Sequence, residues 1–218
     1  MPIFCFLIAE GLHKTSNPAR YLQRLLIFAL ISELPFDLAF NGGLFYWQSQ
    51  NVFWTFFITA GSIYLYEHPE ALLGFLRIGL KPGTYQYQYA AEPVRLFILP
   101  AGALLTAAFF TDYAVTGFLM IALLYFTYHL DKRLRLLLYA GLMSLFGFTE
   151  FFSALYQGRL SANNVLWTLL WFVAVLSCLM IGLYNGKRGK GLKWFFYVFY
   201  PTHLLILSLV NIYFIKIR

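Results

Sequence analysis

The last apolar stretch of the chain, WFFYVFYPTHLLILSLVNIYFI at residues 194–215, contains no Asp, Glu, Lys or Arg. At about 1.5 Å per residue, a helix of this length crosses a hydrocarbon core of about 30 Å. The rest of the chain is similar, because 61% of its 218 residues are hydrophobic, 11% are charged and the mean hydropathy is +0.68. So little polar surface cannot cover a soluble globule. The sequence therefore predicts an all-α, polytopic transmembrane helix bundle.

Hydropathy predicts eight helices, which form about 7–8 membrane helices in a single transmembrane domain over residues 1–218. Seven of them are long enough to span, and the first is short. The segment PEALLGFLRIGL, residues 69–80, opens with a proline and is interpreted either as a cytoplasmic interfacial helix or as a packed loop. The predicted helices lie at about 2–12, 19–40, 46–66, 93–111, 114–130, 133–151, 162–184 and 192–216.

The basic residues follow the alternation of these helices. Thirteen Lys and Arg residues fall on one side of the predicted membrane and three on the other, which are Arg159, Lys216 and Arg218. Such residues accumulate in cytoplasmic loops. The pattern predicts a multi-pass protein in contact with membrane lipid, with its basic loops in the cytoplasm. It also places Met1 outside, which indicates that an upstream helix is missing.

The remaining composition excludes several classes of function. The net charge of +7 comes from short clusters without a basic tail, so no nucleic-acid partner is predicted. Cys5 and Cys178 both lie in apolar stretches, and no disulfide framework, redox motif or metal site is predicted from them.

Polar residues inside the predicted helices carry the functional information, because a charged group in a bilayer is costly. His203 falls near the middle of the last helix, two residues after Pro201 and three after Tyr200. A histidine can exchange a proton near neutral pH, so the pair is a candidate proton-transfer site. The alternative is a neutral histidine that forms a hydrogen bond across the bundle.

A second polar site lies in the second helix. Glu33 and Asp37 are four residues apart on one helical face, on either side of Pro35. They are candidates for binding or deprotonating an acceptor that arrives from outside. They can equally reach solvent at the membrane interface.

The cytoplasmic turn LYNGKRGKGLKW combines glycines with positive charges. Asn185, Lys187, Arg188 and Lys190 are candidates for binding the phosphates of a soluble ligand. The turn matches no established phosphate-binding motif, and positive-inside anchoring explains the same charges.

Other polar residues are interpreted structurally. Glu10 and His13 are expected to cap the inner end of the first helix. Asn51, Glu150 and the turn residues Asp112 and Tyr113 are expected to form hydrogen bonds between helices or at helix ends.

Four segments in order, FALISELPFDLAF, TDYAVTG, LYNGKRG and FYVFYPTHLLIL, resemble the TraX family of membrane acetyltransferases. The resemblance covers essentially the whole chain. It implies a multi-pass protein of the bacterial inner membrane that uses cytoplasmic acetyl-CoA and acetylates pilin, a peptide or an envelope glycan. It places the 184–189 loop at the donor entrance, Tyr200 and His203 in the core site, and Glu33 and Asp37 in the patterned second helix.

The chain departs from the family at its start. Family members usually begin with an additional segment that carries an Asp-His pair, and the resemblance implies that this chain lacks it. With His203 as base and Tyr200 orienting it, the predicted activity is acetyl transfer to an amine or hydroxyl. The alternative is a non-enzymatic transporter or assembly factor that uses the same polar residues.

Overall fold

The computed structural model describes residues 1–75, 85–156, 158, 162–187 and 193–216. These residues form helices and no strand, so the predicted all-α class is confirmed for the described part of the chain. The helices are α1 (Pro2–Lys14), α2 (Pro18–Phe40), α3 (Val52–Glu67), α4 (Pro69–Phe75), α5 (Tyr85–Ala108), α6 (Ala114–Phe126), α7 (Lys132–Tyr156), α8 (Ala162–Val175), α9 (Ser177–Gly182) and α10 (Lys193–Lys216).

Asparagine caps set the starts of two helices. The side chain of Asn17 accepts a hydrogen bond from the Arg20 backbone N–H, and Pro18 occupies the first turn, so α2 begins close to the predicted position. The side chain of Asn51 caps α3 in the same way. The prediction that this helix begins at residue 46 was wrong, because the chain before Asn51 is irregular.

Two other predicted helices differ from the structure. The helix predicted over 162–184 divides at Leu176, whose backbone N–H bonds to the carbonyl of Val173 three residues back. The helix predicted to begin at residue 93 begins at Tyr85, and Pro93 and Pro100 lie inside it. Helix α4 begins at Pro69 as predicted, while residues 76–84 of the proposed interfacial segment lie outside the described residues.

Two helices in the described residues are long and apolar enough to cross a membrane. Their windows are Ala91–Ala108 in α5 and Lys132–Ser153 in α7. Shorter apolar helices lie at Ala114–Phe126, Val173–Gly182 and Tyr197–Val210. The expected seven to eight spans stay a prediction.

The chain divides into two compact units. The first contains Met1–Lys14 and Leu119–Arg188, and the second contains Thr15–Phe118 and Gly189–Arg218. In the first unit, α7 packs against α8, α1 packs against α9, and the buried Tyr139 hydroxyl donates to the Pro2 carbonyl oxygen at 2.9 Å.

In the second unit, α2 packs against both α3 and α10, and α3 also packs against α5. Its core is aromatic: Phe28 of α2 stacks on Tyr197 of α10 with ring centroids 4.8 Å apart, and Phe53 of α3 contacts the same ring. The polar residues that the sequence singles out in α2 and α10 therefore lie in one helical unit.

Candidate functional site

Glu33 lies at the contact between α2 and α3 and is half-buried. Its Oε2 accepts hydrogen bonds from the side-chain amide of Asn51 and from the indole N–H of Trp54, the latter at 2.9 Å. Its Oε1 is buried and has no hydrogen-bond partner among the described residues. The carboxylate is therefore held in place through one oxygen, and the other remains available to accept a hydrogen bond.

Asn51 fixes this arrangement. Its Oδ1 accepts from the Phe53 backbone N–H at the start of α3, and its Nδ2 donates to the Ala29 carbonyl at 2.8 Å as well as to Glu33. The residue is completely buried. One side chain thus caps α3, binds α2 and orients the Glu33 carboxylate.

Asp37 has a different environment, although it lies one helical turn further along α2. It is 1% exposed, and its two oxygens accept from the Asn41 side chain at 3.0 Å and from the Tyr46 backbone N–H at 2.9 Å. These bonds fold the connection between α2 and α3 back onto the helix end. Asp37 is therefore buried, does not reach solvent, and holds the connection that lies beside Glu33.

The turn between α5 and α6 lies against the same part of α3. The Thr55 hydroxyl contacts both the Thr111 hydroxyl, at 2.9 Å, and the Asp112 carbonyl. Gln50 pairs with this turn through its backbone, with its N–H donating to Phe110 and its carbonyl accepting from Asp112 at 2.8 Å.

The backbone of this turn is strained. Phe110, Tyr113 and Ala114 have φ values of 50°, 62° and 28°, which side-chain-bearing residues rarely adopt. The surrounding hydrogen bonds hold the turn in this conformation. The Asp112 side chain is partly buried, and this burial raises its pKa above the ordinary value of 3.8, although the Tyr113 backbone N–H opposes the shift.

Tyr200 and His203 lie together on α10, with ring centroids 5.5 Å apart. The Tyr200 ring also meets Phe53 edge-on at 5.4 Å, and its hydroxyl faces the Val52 backbone N–H and lies within electrostatic range of Asp112 and Glu33. Tyr200 therefore belongs to the same group of polar side chains as Glu33.

His203 is partly exposed, and its ring stacks on Phe199 at 5.0 Å. Its Nδ1 lies 3.0 Å from the Phe199 carbonyl oxygen. A carbonyl can only accept, so this contact assigns the proton to Nδ1 and leaves the lone pair on Nε2. Nε2 is then the basic atom of the ring.

The sequence identified part of this group and missed the rest. Glu33, Tyr200 and His203 stand out as polar residues in apolar helices. The expected hydrogen bonds of Asn51 and Asp112 between helices and at helix ends are confirmed. Trp54, Thr55 and Thr111 carried no signal, because one aromatic residue among many and two small hydroxyls in apolar stretches are ordinary. Their partners lie in other helices, so only the fold brings them together.

The first residues of the predicted donor-binding turn, up to Arg188, belong to the other unit, where two lysines hold Tyr184 and Gly186. Lys14 donates to the Tyr184 hydroxyl at 2.7 Å and to the Gly186 carbonyl at 2.8 Å, and Lys132 donates to the Tyr184 carbonyl at 2.7 Å. Asn185 accepts from the Lys187 backbone N–H at 3.0 Å. Lys187 is exposed, and Arg188 and Lys190 lie outside the described residues.

Glu10 and His13 have structural partners in this unit. Glu10 is buried and pairs with Lys14 at 2.9 Å and with Arg135 at 3.9 Å. His13 lies between the rings of Tyr125 and Tyr128, and its Nε2 meets the Tyr125 carbonyl at 3.1 Å, near the end of α6. His13 thus caps the carboxyl end of α6, whereas the sequence placed this role on its own helix.

Comparison with known proteins gives a family match over most of the chain and a relative whose name refers to fimbrial assembly. The family model described as TraX protein matches residues 1–211. The chain is 25% identical over 214 residues to the Dichelobacter nodosus protein named "Probable fimbrial assembly protein FimC, serogroup H1", an alignment that covers 95% of this chain and 78% of that protein. No solved structure matches the chain.

Proposed function

Since this chain belongs to the TraX family, we propose that it is an integral membrane acyltransferase of the bacterial inner membrane. It moves the acetyl group of cytoplasmic acetyl-CoA to an amine or hydroxyl of a cell-envelope acceptor. The name of the FimC relative favours pilin as the acceptor over a free peptide or a glycan. The observation that carries the proposal is the group of Glu33, Asp112, Tyr200 and His203 within one apolar helical unit.

His203 is the general base in this proposal. Its Nδ1–H is occupied by the Phe199 carbonyl, which leaves Nε2 to take the proton of the acceptor group. The acceptor nitrogen or oxygen attacks the thioester carbon, a new C–N or C–O bond forms, and the C–S bond breaks. The sulfur leaves as the thiolate of coenzyme A, which takes up the proton from His203. Tyr200 orients the imidazole from the preceding turn of the helix.

Glu33 binds the acceptor. Its buried Oε1 has no partner among the described residues and can accept a hydrogen bond from an amine or a hydroxyl. Asn51 and Trp54 hold the other oxygen, so the carboxylate is preorganised. Asp37 is a positioning residue, because its hydrogen bonds shape the connection beside Glu33.

The phosphates of the donor are assigned to the turn at Asn185, Lys187, Arg188 and Lys190. Acetyl-CoA carries several phosphate charges, which need cationic partners. Lys187 is exposed and follows Gly186, whose φ of +74° turns the chain sharply. The exposed cation and the turned backbone suit an anionic ligand. Lys14 and Lys132 hold the turn in place.

Membrane topology is part of the proposal. Seven to eight helices cross the membrane, the basic turns face the cytoplasm, and the connection between α2 and α3 faces outward. The distribution of basic residues supports this arrangement, as do the two helices that are long and apolar enough to span.

Acetyl transfer can be measured with purified protein, labelled acetyl-CoA and a pilin-derived acceptor. We expect His203→Ala to lower turnover by about 10²–10⁴-fold, the usual contribution of a general base. His129→Ala is the matched control, since His129 is an exposed histidine of the other unit. A double Lys187→Ala, Arg188→Ala variant is expected to raise the KM for acetyl-CoA more than it lowers kcat.

The outcomes separate the proposal from its alternative. If turnover is unchanged both in His203→Ala and in the double Lys187→Ala, Arg188→Ala variant, the site assignment is wrong. A protein that neither binds acetyl-CoA nor releases coenzyme A, while remaining necessary for pilus formation, is an assembly factor without enzymatic activity.

A further inference from the structure

The outer end of the second unit carries a group of exposed apolar side chains, here called the rim. Trp47 is 84% exposed and Phe45 is 78% exposed, although both are large and hydrophobic. Other large apolar side chains in the connection between α2 and α3 and in the turn after α5 are also exposed. The rim comprises Phe40, Leu44, Phe45, Tyr46, Trp47, Phe109 and Phe110.

Several polar groups of the rim have hydrogen-bond partners within the protein. The Tyr46 backbone N–H donates to Asp37, its hydroxyl donates to Gln48 at 3.0 Å, and the Gln50 side chain donates to the Trp47 carbonyl at 3.2 Å. The sequence from Leu38 to Tyr66 contains no Asp, Glu, Lys, Arg or His. The surface that the rim presents outward is therefore apolar and uncharged, which a loop in water avoids.

Helix lengths indicate where the rim lies. Helix α3 has 16 residues and is about 24 Å long, and α6 has 13 residues and is about 20 Å long. Both fall short of a hydrocarbon core of about 30 Å. Both begin next to the rim, at Val52 and Ala114. This step rests on the topology of the proposed function. In that topology, α3 and α6 are too short to reach the outer surface of the hydrocarbon core, and the rim occupies the remaining depth.

We propose that the rim is inserted into the outer leaflet of the membrane and that its partner is lipid. The side chains of Trp47 and Tyr46 have an apolar body and a polar edge, the combination found at the boundary between headgroups and acyl chains. Insertion to about 5–10 Å below that boundary is the depth at which interfacial segments bind, and it matches the shortfall of the two helices. The internal hydrogen bonds at Tyr46 and Trp47 lower the cost of bringing this irregular backbone close to the acyl chains.

Spin-label accessibility measures this depth directly. The test uses the full chain with Cys5→Ala and Cys178→Ala, reconstituted in phosphatidylethanolamine and phosphatidylglycerol vesicles, with single nitroxides at Phe45→Cys and Trp47→Cys. Leu104→Cys, which is exposed in the spanning window of α5, is the reference for lipid. Ser16→Cys, exposed between α1 and α2, is the reference for water.

We expect labels at Phe45 and Trp47 to collide more often with oxygen than with a water-soluble nickel complex, as at Leu104. If the nickel complex reaches them as often as it reaches Ser16, the rim lies in water and the inference fails. If neither reagent reaches them, another protein surface covers the rim and the inference also fails. A label at Leu104 that is itself in water would instead overturn the membrane topology of the proposed function.

Discussion

At the scale of single residues, Asn51 connects three parts of the structure. It caps α3, bonds to the α2 backbone at Ala29 and holds the Glu33 carboxylate. All three bonds come from one completely buried amide. Loss of the side chain would remove them together and leave polar atoms without partners inside the helical unit.

Asn51→Ala is therefore expected to lower the free energy of unfolding by about 2–3 kcal/mol, the sum of a lost helix cap and lost buried hydrogen bonds. Asn17→Ala is the matched control, because Asn17 caps α2 in the same way but is exposed. That change should cost about 1 kcal/mol. Chemical unfolding in detergent compares the two, and equal losses would contradict the connecting role of Asn51.

The partly buried carboxyl of Asp112 predicts that the stability of the protein depends on pH. Because burial raises its pKa above 3.8 in the folded protein, its ionised form is less favourable there than in the unfolded chain. Its contribution to stability is fully present below pH 3.8 and is lost as the pH rises through the raised value. The Asp112→Asn variant has no carboxyl group at this position, so its stability lacks this dependence on pH.

The native protein should thus lose stability relative to Asp112→Asn as the pH is raised from about 3.8 toward neutrality. Unfolding of both proteins at a series of pH values measures the difference. Asp131→Asn, at an exposed carboxylate, is the comparison variant. A difference between native protein and Asp112→Asn that stays constant over this range would show that the carboxyl is not desolvated.

The sequence located the polar side chains of the candidate site better than it located their partners. A carboxylate at Glu33 and an imidazole at His203 are visible because they interrupt apolar runs. The bond from Trp54 to Glu33 joins residues 21 positions apart in different helices, and no local pattern encodes it. The conformation at Phe110 was equally hidden, since nothing in the local sequence marks a non-glycine residue with positive φ.

At the scale of helices, the close contact between α3 and α5 depends on a glycine, Gly102, which has no side chain. A Cβ atom at Gly102 would lie 2.8 Å from the Ser62 Cβ and 2.9 Å from the Phe118 Cε2. Neither Ser62 nor Phe118 can move away easily, because both are buried. Gly102 therefore sets how closely the two helices approach.

Gly102→Ala is expected to destabilise the protein by about 1–3 kcal/mol, the usual cost of overpacking a core. Gly61→Ala is the control, because Gly61 also lies in a helix but has open space where its Cβ would be. That substitution should leave stability unchanged or raise it by up to about 1 kcal/mol through helix propensity. Thermal unfolding in detergent distinguishes the two, and equal effects would contradict close packing at Gly102.

Helix positions were more predictable than helix ends. Apolar runs bounded by polar residues placed both ends of α1, α2, α6, α7 and α10 to within five residues. The late start of α3 depends on Asp37 binding the Tyr46 N–H, a contact across the connection. The break at Leu176 falls in an apolar run without Pro or Gly, so sequence offered no reason for it.

At the scale of the whole molecule, the distribution of basic residues predicts orientation. Thirteen of the sixteen Lys and Arg residues fall on one side of the predicted membrane. An alkaline phosphatase reporter fused after Gly43 should be active, and one fused after Gly186 should be inactive. A fluorescent-protein reporter should give the reverse pattern. Reporters that place both positions on one side would overturn the topology and the cytoplasmic delivery of acetyl-CoA.

The uncharged sequence of the rim also determines how the protein responds to proteases. There is no Lys or Arg between Arg24 and Arg77, so trypsin leaves this whole segment intact whichever way the chain is oriented. Chymotrypsin, which cleaves after aromatic residues, has sites at Phe45, Tyr46 and Trp47. Intact right-side-out vesicles should resist it at these sites and become sensitive once detergent strips the bilayer away.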